Sequence, residues 1–116
     1  EVVIVEACRT AVGRRKGALA NYRADDLLAD VLEGLVEKAK IDKGLVDDVI
    51  AGCVTQVNEQ AMNVARTAAL IAGFPITVPG VPLIVNVVPV NRQFILRHKQ
   101  SWLATWMLSL QVVSKV

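Results

Sequence analysis

The chain alternates between short unbroken apolar runs and longer stretches in which apolar residues recur at helical spacing. Val2-Val3-Ile4-Val5 is a continuous β-branched run. That is the pattern of a strand covered on both faces in a parallel sheet, and it predicts a central strand. A polar connection over residues 8–23 follows, with Gly13 and Gly17 as turn points and Arg14-Arg15-Lys16 as a cationic triplet. Asp25 and Asp26 then place negative charge at the positive end of a helix, Leu27, Leu28, Val31, Leu35 and Val36 recur on one face, and Lys38 and Lys40 close it. Residues 49–54 predict a second buried strand, and residues 56–60 a polar loop. A second helix opens at Asn63 or just before it, carries Ala65, Ala68, Ala69, Leu70 and Ile71, and ends at Gly73 and Pro75. Its alanines predict close packing. A third strand begins over residues 77–81. Strands and helices alternating at these lengths predict an α/β layered domain with right-handed crossovers.

At Leu83 the vocabulary changes. Every acidic residue and every glycine lies before it, Glu59 being the last carboxylate and Gly80 the last glycine. Residues 1–82 hold nine Lys/Arg (13 in all, less Arg92, Arg97, Lys99 and Lys115) against eleven Asp/Glu, the ordinary balance of a soluble enzyme surface. The tail is basic, with both Trp and the single His98. A net charge of +2 is too weak to argue for nucleic acid. At 116 residues the chain is one domain at most, small for an enzyme that encloses a cofactor-sized substrate. Cys8 and Cys53 show no C-x-x-C spacing and no secretory leader precedes them, so a reducing, cytoplasmic compartment is the expectation and no metal is expected. No stretch approaches the roughly 20 apolar residues of a membrane span. The missing initiator Met is read as a trimmed or partial N-terminus.

Five segments in order carry a family resemblance: VVIVEACRTAVGRRKG from Val2, ADDLLADVLEGLV, DDVIAGCV, NVARTAALIAGFP and TVPGV. Together they resemble the opening of the thiolases, the acetyl-CoA acetyltransferases and 3-ketoacyl-CoA thiolases that transfer acyl groups between thioesters. The likeness covers residues 2–82. It implies a five-layer αβαβα fold of two similar halves, of which this chain holds an incomplete N-terminal half. It also implies coenzyme A thioesters as substrates, no covalently bound cofactor, and a homo-oligomeric parent. In the family the third strand runs into V-N-R-x-C-x-S-G, whose cysteine opens a helix, where free N–H groups stabilise the thiolate that attacks the acyl thioester. An activating histidine and a second cysteine come from the half that this chain lacks.

The chain departs from that pattern after Pro82, where no cysteine and no glycine follow. The Val90-Asn91-Arg92 triplet lies too far along and is followed by Gln93-Phe94-Ile95. When the third base of each codon is joined to the first two of the next, the stretch from Leu83 to Val90 permits V-N-R-Q-C-(C/S)-S-G, the cysteine codon spanning Asn86 and Val87. The same shift permits a glycine- and acid-containing continuation through Val116. Residues 83–116 are therefore read as an out-of-frame tail and residues 1–82 as the family domain.

Other readings stand beside these. The two cysteines sit next to apolar strand residues and are expected in the core rather than in chemistry. The cationic triplet is expected as a solvated loop rather than a phosphate contact. Arg9, Thr10, Asn63 and Arg66 match positions in the family's segments and are expected to hold loops or a subunit interface. From Arg97 to Lys115, Trp102, Leu103, Trp106, Met107 and Leu110 recur at helical spacing, which offers a membrane-surface or interaction module as the alternative function. An incomplete sheet is expected to self-associate.

Overall fold

The computed structural model describes residues 3–84. Helix α1 spans Ala24–Ala39, strand β1 Val49–Cys53, helix α2 Val64–Ile71 and strand β2 Gly80–Ile84, with short 3-10 turns at Lys43–Leu45 and Asn58–Gln60. The strands pair in parallel, Val49 opposite Gly80 through Cys53 opposite Ile84, and α2 makes the crossover between them. The α/β character read from the sequence is thus present as a βαβ unit with a preceding helix.

The core forms where three small-residue surfaces meet. Ala29, Leu32 and Val36 of α1, Ala65, Ala68 and Ala69 of α2, and Val49 and Ala51 of β1 make one buried cluster, closed by Val46, Ala72, Phe74 and Val78. On β1 the inward positions Val49, Ala51 and Cys53 are buried while Gly52 is exposed, as a period of two requires for a strand covered on one face. Alanines at 65, 68, 69 and 72 line one face of α2, and without longer side chains the helix backbone seats close to its neighbours.

Helix ends are closed by specific groups. At the start of α1 the Arg23 side chain donates from Nε and Nη2 to the Asp25 carboxylate at 3.0 and 2.7 Å, so the buried Asp25 is neutralised where the helix dipole also favours an anion. At its end Lys40 takes the left-handed conformation (φ 54°), and the Ile41 amide donates to the Val36 carbonyl at 3.3 Å. Beyond α2 and its C-cap Ala72, Gly73 takes a positive φ (74°) and the Phe74 amide donates to the Ala69 carbonyl at 3.0 Å. The Lys43 ammonium donates to the Ala72 carbonyl at 2.7 Å, placing a cation at the negative end of α2.

Three expectations are corrected. The central strand at Val2–Val5 is not found over its described residues: Val3, Ile4 and Val5 lie in no regular element and are 68%, 69% and 65% exposed. Their continuation is tied to the flank of α1 instead. Lys38 pairs with Glu6 at 3.0 Å and donates to the Ala7 carbonyl at 3.1 Å, and the Cys8 thiol donates to the Val31 carbonyl at 3.3 Å. A run buried on both faces needs a ladder partner and a layer on each side, and these contacts hold the chain beside the helix rather than in the sheet. On α1 Leu35 and Val36 are buried as expected and Leu28 packs against the core, but the buried stripe runs through Ala29 and Leu32, while Leu27 and Val31 are only half-buried. The third strand starts at Gly80 rather than at Thr77, because residues 75–78 form a turn closed by the Val78 amide on the Pro75 carbonyl at 3.0 Å.

Candidate functional site

The polar chemistry of the described residues concentrates where α2 and β2 begin. Asn63 is the N-cap of α2: its Oδ1 accepts from the Arg66 amide at 2.9 Å, satisfying a donor that has no partner within the helix. Its Nδ2 donates to the Gly80 carbonyl at 2.7 Å. The Arg66 guanidinium donates to the carbonyls of Val78 and Ile76, the latter at 2.7 Å. Gly80 closes the arrangement by having no side chain, since a Cβ there would stand 2.5 Å from the Arg66 nitrogen and 2.9 Å from the Ala65 carbonyl carbon. The structure thus brings Asn63 and Arg66 together, both spent on backbone groups.

Arg9 and Thr10 lie elsewhere. Arg9 is exposed, and Thr10 lines a groove of about 230 Å³ with Leu27, Leu28 and Val31 of α1 and with Gly52, Cys53, Gln60 and Val64. Cys53, one of the lining residues, is buried, its sulfur 3.5 Å from Gln60 Oε1 and from the Thr55 carbonyl. Burial pushes the Cys8 thiol above its ordinary value, which opposes the thiolate that a nucleophile needs. Arg14, Arg15 and Lys16 are exposed in the loop. No group of three or more His, Cys, Asp or Glu that could hold a metal occurs among the described residues, and no helix there is long and apolar enough to cross a membrane. The expected cysteine codon at Asn86 and Val87, the Val90-Asn91-Arg92 triplet, His98 and the Trp-containing tail lie outside the described residues.

Two groups escaped sequence reasoning. Gly80, flanked by Pro79 and Val81, carries a readable signal, because a glycine inside a strand marks close backbone approach. Lys43 carries none, since its carbonyl partner sits 29 residues away.

The comparisons with known proteins agree in where the likeness falls. The family model for the thiolase N-terminal domain matches residues 2–86, ending at Asn86, four residues beyond Pro82. A steroid 3-ketoacyl-CoA thiolase of Mycobacterium tuberculosis is 51% identical over 81 residues, covering 70% of this chain and 20% of the relative. A β-ketoadipyl-CoA thiolase of Pseudomonas knackmussii is 49% identical over 84 residues, 72% of this chain and 21% of the relative. The crystal structure of the Bacillus anthracis acetyl-CoA acetyltransferase superposes with a TM-score of 0.67 at 42% identity, covering 72% of this chain and 21% of that one. The chain therefore spans about a fifth of the length of the relatives it matches. With the parallel βαβ unit, the capped alanine helix and a family match over most of its residues, the chain belongs to the thiolase family through that family's N-terminal domain.

Proposed function

We propose that this chain is the first part of an acyl-CoA C-acyltransferase and that, as written, it is catalytically silent. The observation that carries the reading is the family match over residues 2–86 followed by a tail without cysteine or glycine. The parent enzyme would move an acyl group from a coenzyme A thioester to a cysteine thiolate and then to a second thioester or to free coenzyme A, with histidine as base and oxyanion holes for the developing charge. Residues 1–82 are the domain fragment and residues 83–116 the product of a one-base slip near the Pro82 codon. Cys8 and Cys53 do not take over. One is raised in pKa by burial and the other is buried, and neither has a histidine in the described residues. Both are free thiols, which fits a cytoplasmic parent, and the two-stranded sheet, whose outer edges carry no strand among the described residues, favours self-association of the fragment.

The test is turnover. Purified 116-residue chain is expected to give no thiolysis or condensation of acetoacetyl-CoA above buffer, because removal of every member of a catalytic group leaves little residual rate. Turnover abolished by Cys8→Ala or Cys53→Ala would overturn the reading.

A further inference from the structure

α2 and β2 start at the same place in the molecule, and their starts are joined through alternate residues of one incoming segment. Arg66 donates to the carbonyls of Ile76 and Val78, and Asn63 donates to that of Gly80. Carbonyls 76, 78 and 80 are thus all held from the first turn of a single helix. Sliding the segment by one residue would break all three bonds, move the strand by about 3.3 Å and turn its side chains to the opposite faces. The Gly80 contact with the backbone of residues 65 and 66 blocks the same slide sterically. β2 ends at Ile84, so its far end inherits this setting.

We propose that Asn63 and Arg66 are positioning residues for the thioester chemistry of the in-frame enzyme, fixing through carbonyls 76, 78 and 80 the register at which β2 delivers the nucleophile-bearing segment. The inference rests on the thiolase reading of the shifted frame. Neither side chain touches reacting atoms; both act through the strand. Attack on a thioester requires reacting atoms about 3–3.5 Å apart, and a displacement of about 1 Å costs on the order of 100-fold in rate.

Two variants separate this role from simple capping. Asn63→Asp keeps the capping oxygen but replaces the donor to Gly80 with an acceptor, and Arg66→Lys keeps the charge but loses the fork that spans two carbonyls. In the 116-residue chain, amide exchange of residues 49–53 and 81–84 is expected to quicken at least about 10-fold in either variant while the Leu32 and Leu35 amides hold their wild-type rates. Unchanged strand exchange overturns the clamp. In the full-length enzyme with the frame restored, the same variants are expected to lower kcat about 10- to 100-fold with KM for acetoacetyl-CoA within about 2-fold, and to shift the pH profile of iodoacetamide labelling at the nucleophile. Wild-type kcat and labelling in both variants overturn the positioning role. A restored wild-type enzyme with neither turnover nor a fast-labelling cysteine refutes the shifted-frame reading and the positioning role with it, while the exchange result of the first arm stands apart. Should Asn63→Asp fail to fold by far-ultraviolet circular dichroism, Arg66→Lys carries both measurements.

Discussion

Gly80 and Arg66 approach so closely that a Cβ on the glycine would lie 2.6 Å from the arginine Cα. Backbone meets backbone here, with no flexible side-chain end to yield. Gly80→Ala is therefore expected to destabilise the domain by about 1–3 kcal/mol, the range for overpacking a close contact. Gly34→Ala, on α1 with open space around its Cβ position, is expected to be neutral or stabilising by up to about 1 kcal/mol. Urea midpoints of the two variants measured side by side check the pair. Equal midpoints would show that α2 and β2 are not in contact.

Acid should loosen the start of α1 first. The Arg23 side-chain hydrogen bonds hold the Asp25 carboxyl below the usual carboxylate range, against the burial that pushes it up. A folded-state pKa below the unfolded one means that the contribution is fully present above about pH 4, the ordinary aspartate value, and is lost as pH falls through the lowered native value. Arg23→Gln is expected to lower stability modestly at neutral pH, because the guanidinium is exposed, and to flatten the acid limb of stability between about pH 5 and pH 2. Parallel acid limbs in wild type and variant would contradict the assignment.

Amide exchange should separate the two apolar segments nearest the N-terminus. Leu32 and Leu35 sit in the core face of α1, 0% and 3% exposed, whereas Val3, Ile4 and Val5 have no ladder. Residues 3–5 are expected to exchange orders of magnitude faster than 32 and 35. Comparable protection would place the first run in a sheet after all.

What was legible follows from which signals are local. The cap and the glycine stop of α2 were readable because Asn63 and Gly73 act within a few residues of themselves, and β1 because its short unbroken apolar run sits between polar segments. The first run failed because strand formation depends on a partner edge, and the Lys38 contacts to Glu6 and Ala7 that divert it span 31 or more residues. The α1 face was misjudged because Leu27, Leu28 and Val31 match helical spacing as well as the true stripe does. What separates them is depth: Leu27, Leu28 and Val31 line an open groove shared with Gly52, Cys53 and Val64, although Leu28 also packs against the core cluster. Asn63 and Arg66 could be singled out in the sequence, but their shared grip on carbonyls 76, 78 and 80 could not.

Reading the DNA from the Pro82 codon onward decides whether residues 83–116 are an out-of-frame tail. For the shifted frame to spell Val-Asn-Arg-Gln-Cys, the Leu83 codon must be TTA, the Ile84 codon ATC and the Asn86 codon AAT, since AAC before the Val87 codon would give arginine in place of cysteine. A slipped frame requires these codons, and beyond the Val116 codon the shifted frame is expected to stay open through the remaining thiolase sequence with its histidine and second cysteine. A confirmed sequence with AAC at Asn86, or with any Leu83 codon other than TTA, would contradict it.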